Sequence, residues 1–468
     1  MKVYRLLRLS IGLVALILPG GVAAAQGFGL NEIGACALAR GFANTGSPCK
    51  DASMIYWNPG ATTTLPGWKS SIGVSAIALN GDFKQDTTGR TFEQDAPVAW
   101  VPSLFVNYKP ATGKASYGIG VYVPYGLTSQ WHDDFPGRFR ALKASIQTIY
   151  VQPNFAWQIN SKWSVGAGPI IAHSGVELIQ GIDLSEQLTP TGATFGQLGI
   201  ARNTEFGRVR LKGDAMGFGA QIGAYGRLNS EWSVGARFML PITFDYDDAD
   251  ATFTQIPTNL VLGGTVQPPF SAGTPVDALV APQFAAGGKL VAQKATTKIT
   301  HPGQVSAGFG YTGVKNLGIN VDYAWVGWKR FDVLPVLFPN APDTTLNRRL
   351  LENYNNTSSL RIGAEYTLMQ PNFRDWKLRG GFQAAASAAP AETVTPLLPE
   401  QDRNYFMLGV GVPWGRYSVD ASYAYIRTAG ARGRIVERTN VAQTAAQLNT
   451  GVYTLNAQIF AVSFQASF

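Results

Sequence analysis

The chain ends in Phe460-Ala461-Val462-Ser463-Phe464-Gln465-Ala466-Ser467-Phe468, where large apolar residues alternate with small or polar ones without a break. A period of two is that of a β-strand, whose successive side chains point to opposite faces. Residues 149–159 and 317–327 alternate in the same way, with polar residues such as Asn154 and Asp322 on the second face. These segments predict strands with one apolar and one polar face. A soluble β-sandwich alternates similarly, so the pattern alone leaves both classes open.

The connections between the strand-like segments decide between these classes. The sequence contains about fourteen such segments, and short turns alternate with long loops, which is typical of outer-membrane barrels with an even strand count. A sandwich has no reason to keep this order. We therefore predict an all-β fold, a 14-stranded antiparallel transmembrane β-barrel. The long loops span residues 85–97, 127–144, 181–211, 251–298, 332–356, 389–401 and 429–452.

The composition excludes several other classes of protein. Charged residues make up 15% of the 468 residues, compared with roughly 25% in globular proteins. With only 2 Cys and 3 His, the chain is a poor candidate for a metal cluster, and we expect no metal or cofactor. Beyond the N-terminus no run of about 18 apolar residues suggests a membrane helix. The net charge of +8 is too thinly spread for nucleic-acid binding.

The first 25 residues are typical of a secretory signal peptide. Lys2, Arg5 and Arg8 precede an apolar run over residues 9–18, and Ala23-Ala24-Ala25 provides a small-residue cleavage site. The apolar run is too short to span a membrane. We predict cleavage after Ala25 and place the mature protein in the outer membrane of a Gram-negative-type cell. It would contact the lipid bilayer and lipopolysaccharide and act as a monomer.

Residues 26–67 do not alternate and form a separate leading segment. About forty residues cannot build a core alone, but they can fill a wide barrel whose lumen the wall side chains leave open. We predict a hatch over residues 26–67 and the barrel over residues 68–468. The alternative is a disordered tail, against which the aromatic and aliphatic residues of the segment argue.

Several short stretches of the chain occur in an order that is typical of one known family. They are Gly27-Phe28-x-Leu30-Asn31-Glu32, Asp51-Ala52-Ser53, Asn58-Pro59, Tyr125-Gly126-Leu127-Thr128, Asp133-Asp134-Phe135-Pro136-Gly137-Arg138, Leu211-Lys212-Gly213-Asp214, Tyr323-Ala324-Trp325 and Pro399-Glu400-Gln401-Asp402-Arg403. Together they resemble the FadL family of outer-membrane transporters of long-chain fatty acids. The resemblance covers nearly the whole mature chain. It implies a fourteen-stranded barrel, closed by a hatch, that takes up hydrophobic molecules.

The resemblance also implies the position of the hatch tip. The tip would be formed by Asn58, Pro59 and Gly60, although the family usually has Ala at the position of Gly60. Glycine loosens the backbone there. Cys36 and Cys49 lie in the same segment, and an oxidising compartment favours a disulfide between them, with two free thiols as the alternative.

Three further sets of site residues follow from the resemblance. The lateral gap through which a ligand would leave involves Gly118, Gly120 and Pro124, which weaken or interrupt a strand ladder. The carboxylate of a fatty acid would require a cation, for which Arg138, Lys212 and Arg403 are the candidates. Apolar residues of the loop over residues 251–298 would form a capture surface or pack on one another as a cap. They include Phe253, Ile256, Leu260, Leu262, Phe270 and Phe284.

The ligand and two competing functions remain open at this stage. We expect long-chain fatty acids, with aromatic hydrocarbons of the toluene type as the alternative. A general porin is a weaker interpretation, because the leading segment and the loops are too apolar for an open water-filled pore. An enzyme would need a site such as Trp131-His132-Asp133-Asp134, but no Gly-x-Ser-x-Gly nucleophile motif accompanies it. We therefore do not expect catalysis.

Overall fold

The protein is described from a computed structural model that covers residues 27–189, 192–263, 271–341, 344–434 and 450–468. The predicted signal peptide and Phe270 lie outside these residues. No helix within the described ranges is both long enough and apolar enough to cross a membrane.

Fourteen antiparallel strands form one closed barrel, as the alternation predicts. The first strand pairs with the last from Lys69↔Ser467 to Gln85↔Gly451, which closes the sheet. The strands are β1 (Gly67–Gln85), β2 (Ala99–Lys109), β3 (Ala115–Gln130), β4 (Lys143–Gln158), β5 (Trp163–Asp183), β6 (Glu205–Arg227), β7 (Trp232–Met239 with Ile242–Gln255), β8 (Gln293–His301 with Gln304–Val314), β9 (Leu317–Val326), β10 (Thr357–Thr367), β11 (Lys377–Ala385), β12 (Arg403–Trp414), β13 (Tyr417–Thr428) and β14 (Gly451–Ser467).

Short elements occupy the hatch and the loops. The α-helices are α1 (Ala35–Ala39), α2 (Met54–Trp57) and α3 (Val276–Phe284), and the 3₁₀ turns are Pro59–Thr64, Trp328–Arg330 and Pro371–Phe373. Four short strands, Thr91–Glu93, Val333–Leu337, Arg348–Leu351 and Ala431–Gly433, extend the wall into the loops.

The alternation of the sequence corresponds to the two faces of the wall. In β5, Ser164, Ile170 and Ala172 point inward and are buried, whereas Val165 and Ile171 point outward and are exposed. Apolar outward residues of this kind suit contact with lipid tails. Aromatic residues lie beside the short turns, and an indole there matches the headgroup region of a membrane. Examples are the stacked pair Trp68 and Tyr108, the pair Trp232 and Tyr311, and exposed Trp163 and Trp414.

The wall has two interruptions that the alternation does not predict. Both β7 and β8 break at a proline, Pro241 in one strand and Pro302 in the other, because proline has no backbone N–H for the ladder. The breaks lie side by side, since Met239 pairs with Gln304 below them and Ile242 pairs with His301 above them. The upper part of β8 begins at Gln293, so the strand includes residues 293–298, which the sequence predicts as part of the long loop over residues 251–298.

Next to these breaks, the ladder between β6 and β7 is also incomplete. It is formed up to Lys212↔Asp250 and resumes at Gln221↔Met239. Between these points the Ile242 side chain packs against two glycines of β6: a Cβ built on Gly217 or Gly219 would lie 2.6 Å from it. Side-chain packing thus replaces hydrogen bonding along this part of the wall.

The leading segment, residues 27–66, lies inside the barrel. Trp57 at its centre has no exposed surface and donates from its indole N–H to the Ile33 carbonyl at 3.0 Å. The segment lies very close to the wall at glycine positions. Its backbone or its hatch-tip atoms would lie less than 3 Å from a Cβ added at Gly166, Gly223, Gly235, Gly363 or Gly381. Inward-facing glycines therefore make the space in which the hatch sits.

We predict that adding one methyl group at the hatch seat destabilises the protein. A Cβ on Gly223 would lie 2.7 Å from the Asn58 side-chain oxygen and 2.7 Å from Pro59 Cδ. Such overpacking costs roughly 1–3 kcal/mol. Gly223→Ala should therefore lower the free energy of unfolding, measured by urea titration of tryptophan fluorescence in lipid vesicles. Gly175→Ala is the control, because nothing lies within 4 Å of its added Cβ. Equal urea midpoints for the two variants would contradict the close hatch–wall contact.

Candidate functional site

The middle of the hatch is clamped by one buried carboxylate of the wall. Asp322 on β9 accepts hydrogen bonds from the backbone N–H groups of Asn44, Thr45 and Gly46 at 2.7, 2.6 and 3.4 Å. Asp322 has no exposed surface. Hydrogen bonds to a charged acceptor are roughly twice as strong as neutral ones, so this clamp holds the hatch backbone firmly.

The loop that carries this clamp is closed by a disulfide. Cys36 and Cys49 are joined in the structure, with their Cα atoms 6.3 Å apart. A carboxylate oxygen of Asp51 lies within 4.8 Å of both sulfur atoms, but thiols that form a disulfide are not available as thiolate ligands. The cluster therefore has no means of holding a metal through sulfur.

The predicted hatch tip lies against β6. The Asn58 side-chain N–H groups donate to the carbonyls of Thr45 and Ala224 at 2.9 and 3.0 Å, and its oxygen accepts from Gly60 N–H at 3.2 Å. Gly60 is not in the left-handed backbone region. Its missing Cβ matters because an added one would lie 2.7 Å from the Gly223 carbonyl oxygen. Glycine at this position thus permits close contact with the wall.

The start of the hatch completes the wall at β3. The register of β3 against β4 shifts between Tyr122 and Tyr125, around Pro124. On the other side, the ladder to β2 ends at Ser103↔Tyr122. Leu30 N–H donates to the Pro124 carbonyl at 2.8 Å, and Gly126 N–H donates to the Phe28 carbonyl at 2.9 Å. The hatch therefore supplies partners to backbone groups at the point where the ladder stops.

The residues predicted to form the lateral gap separate into two groups. Pro124 lies at the interruption itself. Gly118 and Gly120 lie in the paired part of β3, opposite Asn107 and Phe105 of β2. Their missing side chains make room for neighbours, since a Cβ on Gly118 would be 2.7 Å from Ile55 of the hatch.

An apolar cavity of about 70 Å³ lies above the start of the hatch. Phe28 lines it from the hatch side, and Glu177 is its only charged lining residue among the residues described. The Glu177 carboxylate is bound by Lys143 at 2.7 Å and by Arg210 at 2.6 Å. The apolar lining includes Leu127, Ile146, Val176, Leu178, Leu211, Ile299, Phe331, Leu334, Val336, Leu397 and Leu398.

The three cations proposed for a carboxylate do not line this cavity. Arg138 is engaged by the Glu205 carboxylate at 3.0 Å and by two backbone carbonyls. Arg403 donates to Glu400 at 2.6 Å. Lys212 is exposed on the outer side of β6, where its pairing partner is Asp250. The sequence order that suggested these residues therefore does not bring them together.

The loop after β7 forms an apolar cap over the extracellular end. Its helix α3 contributes Val276 and Val280 to a buried cluster with residues of the preceding long loop. Of the predicted capture residues in this loop, Leu262 is buried, Phe253 and Phe284 pack against the cluster, and Leu260 remains exposed. Ile256 is half-buried. The loop is thus largely packed on itself, with a small exposed apolar part.

A carboxylate ties the cap together. Asp277 in the first turn of α3 accepts hydrogen bonds from Thr258 N–H and its hydroxyl, and from Asn259 N–H at 2.9 Å. Burial raises the pKa of Asp277, but these hydrogen bonds outweigh it and hold the pKa below its usual range. The hydrogen bonds to Asp277 are therefore fully formed at neutral pH, and they are lost only when the pH falls below the lowered pKa of Asp277.

The residues considered for catalysis have structural partners instead. Asp133 pairs with Arg208 at 3.1 Å, and Asp134 pairs with Arg90 at 3.4 Å. These are exposed ion pairs at the base of the extracellular loops. Both aspartates beside His132 are thus bound to arginines and not to its imidazole ring.

Comparison with known proteins identifies the family of this barrel. Residues 16–468 match the model of the outer membrane protein transport protein family (OMPP1/FadL/TodX). The chain belongs to this family, whose members are outer-membrane transport channels for hydrophobic compounds and not enzymes.

The chain is similar to proteins named for fatty acid transport and to proteins named for toluene transport. It is 25% identical over 425 residues to the long-chain fatty acid transport protein of Escherichia coli O6:H1 (strain CFT073), covering 88% of this chain and 89% of that protein. The structure of a FadL homologue of Pseudomonas aeruginosa superimposes with a TM-score of 0.77 at 19% sequence identity, and the match covers 95% of this chain and 100% of the homologue. The structure of the toluene transporter TbuX of Ralstonia pickettii superimposes with a TM-score of 0.63 at 17% sequence identity, and the match covers 94% of this chain and 99% of TbuX.

We predict that the disulfide stabilises the folded hatch. A cross-link across a separation of 13 residues is worth about 3 kcal/mol in the chain-entropy model. The double variant Cys36→Ser/Cys49→Ser should lose about this much free energy of unfolding in urea titrations. Dithiothreitol should destabilise the wild-type protein and leave the double variant unchanged. Complete alkylation of both cysteines in unreduced native protein would contradict this account.

Proposed function

We propose that the protein takes up uncharged hydrophobic molecules through the side of its barrel. One observation carries the proposal: Phe28 forms one wall of the apolar cavity and, through its backbone, also fills the interruption at Pro124. A ligand that displaces Phe28 from the cavity therefore also removes the hydrogen-bond partner of Gly126. Binding and opening are then the same event.

In this mechanism a ligand first meets exposed apolar residues of two long loops, Leu188 in the loop after β5 and Leu260 and Val261 in the cap. It then enters the cavity, displaces the start of the hatch and leaves through the wall between β2 and β3. Lateral exit suits an apolar ligand, because the lipid phase is more favourable for it than water. One barrel contains every part of this route, so we infer that the monomer is sufficient.

The charges around the cavity favour an uncharged ligand. A carboxylate in a dry site needs a cation or several donors. The cavity lining among the described residues contains no cation, and its one acid, Glu177, already binds Lys143 and Arg210. An ionised fatty acid would meet the lining without a partner. Toluene, the compound named for the transporter TbuX, carries no such charge.

Long-chain fatty acids are the second candidate. Their support is the similarity over most of the chain to a protein named for fatty acid transport. Lys212 is exposed beside Arg210 and Lys294. Because Arg210 already binds Glu177 and Lys294 binds Asp250, Lys212 is the residue of these three that would offer its charge to a carboxylate.

Competition for a bound fluorescent probe tests the two candidates. We expect toluene to displace an apolar fluorescent probe from the purified protein, and oleate to displace it less effectively at pH 7. Leu178→Glu, which adds a second acid to the lining, should weaken toluene binding, and Leu228→Glu in the exposed short turn after β6 should leave equilibrium binding unchanged. Displacement by oleate alone would assign the protein to fatty acids. Absence of saturable binding by either would refute the proposed function.

A further inference from the structure

The side chain of Phe28 occupies a box made of four aromatic rings. Its ring centroid lies 4.7 Å from that of Trp328, 5.4 Å from Phe331, 5.5 Å from His301 and 6.0 Å from Tyr125. All four contacts are edge-to-face, the arrangement that the quadrupoles of aromatic rings prefer. The box therefore has the shape and the electrostatics to hold one six-membered aromatic ring.

The box is continuous with the apolar cavity. Phe28 and Phe331 line both of them. Phe28 itself belongs to a hatch segment that is held by a few backbone hydrogen bonds, namely those of Gly27 to Glu400 and of Phe28 and Leu30 to β3. When this segment moves, the box becomes open to a ligand in the cavity.

Three buried polar atoms around the box have no hydrogen-bond partner among the described residues. They are His301 Nε2, the Trp328 indole N–H and the Tyr354 hydroxyl. Each of these side chains is at most 2% exposed. Tyr354 packs on the box from outside, 4.9 Å from Phe331 and 6.1 Å from Trp328 between ring centroids. A buried polar atom without a partner is costly, so an unsatisfied group of this kind needs an explanation.

These atoms are suited to donate hydrogen bonds. An indole nitrogen can only donate, and a phenol hydroxyl can donate to any acceptor. His301 Nδ1 lies 3.1 Å from the Tyr150 hydroxyl, and when that hydroxyl donates, the proton of the neutral ring is on Nε2. An acceptor therefore satisfies the Trp328 indole and the Tyr354 hydroxyl, and in this tautomer it also satisfies His301 Nε2. A cationic ligand, which offers only donors, does not satisfy them.

We propose that the box is a ligand subsite for a neutral monoaromatic compound with one acceptor oxygen, and that Phe28 is its intramolecular stand-in. This inference rests on the proposed function and narrows its substrate class. The ligand ring takes the place of the Phe28 ring, and its oxygen accepts from the donors of His301 and Trp328, two of the rings that form the box. An alkyl chain gains no edge-to-face contact in this box, and a plain hydrocarbon leaves the donors unsatisfied.

The inference is tested with two ligands of the same shape, one of which has a hydroxyl where the other has a methyl group. In 4-methylphenol a hydroxyl replaces one methyl group of 1,4-dimethylbenzene, and at pH 7 the phenol is neutral. Because a methyl group gains more than a hydroxyl from leaving water, the quantity compared is the affinity ratio of 4-methylphenol to 1,4-dimethylbenzene. We expect this ratio to be about fivefold higher in the wild-type protein than in a variant without the donors, the contribution of one net hydrogen bond. Binding is measured by equilibrium dialysis, with protein-free micelles subtracted to remove partition into detergent.

Two variants and a matched control identify the donors. His301→Phe/Trp328→Phe keeps the aromatic box and removes two donors, so the affinity ratio of 4-methylphenol to 1,4-dimethylbenzene should fall about fivefold from its wild-type value. His173→Phe/Trp325→Phe makes the same replacements at exposed outward positions and should keep the wild-type ratio. Phe28→Ala empties the box and should raise the affinity for 4-methylphenol about tenfold or more, because the ligand no longer has to displace a buried phenyl ring.

The outcomes separate this inference from the proposed function. An affinity ratio that is the same in the wild type and in His301→Phe/Trp328→Phe overturns the oxygen-accepting subsite while the uptake of hydrophobic compounds stands. Unchanged affinity in Phe28→Ala overturns the stand-in role of Phe28. Failure of both ligands to bind refutes the proposed function itself. Circular dichroism and the heat-dependent shift in gel mobility verify that each variant is folded.

Discussion

Backbone hydrogen bonding inside a membrane is the constraint on which the rest of this structure depends. Lipid offers no partner to an N–H or a carbonyl, so a spanning wall must satisfy its own backbone groups. The pairing of β1 with β14 meets this requirement by closing the sheet. Where β3 is interrupted at Pro124, residues from the start of the hatch provide the missing partners. The hatch is thus part of the wall, and a lateral opening requires it to move.

The hatch combines a fixed part and a part that is held more weakly. From Cys36 to Gly60 it is secured by the disulfide, the Asp322 clamp and the close contact with glycines of the wall. Its first residues are held by a few hydrogen bonds and by the packing of one phenyl ring. This division allows a ligand to displace the start of the hatch while the remainder still closes the barrel against water and ions.

The sequence predicts the barrel well, because the alternation of lipid-facing and lumen-facing residues is a local property of each strand. It does not predict the breaks at Pro241 and Pro302, since the matched position of two prolines on neighbouring strands depends on register. Positive charge near family-like motifs suggested Arg138 and Arg403 as ligand groups, yet each is bound by a nearby glutamate. The donors around Phe28 come from distant parts of the chain, so only the fold brings them together. The proline next to His301 was the one local signal of an unusual position.

The most direct test of the account is hydrogen–deuterium exchange at the amides of Leu30 and Gly126, with and without a saturating aromatic ligand. Both amides are hydrogen-bonded between the hatch and β3 in the closed protein, and slow exchange is expected there. The account predicts that ligand binding makes both exchange faster together, while the amides of Asn44 and Thr45 at the Asp322 clamp stay protected. Unchanged protection of Leu30 and Gly126 in a protein that still transports the ligand would contradict it.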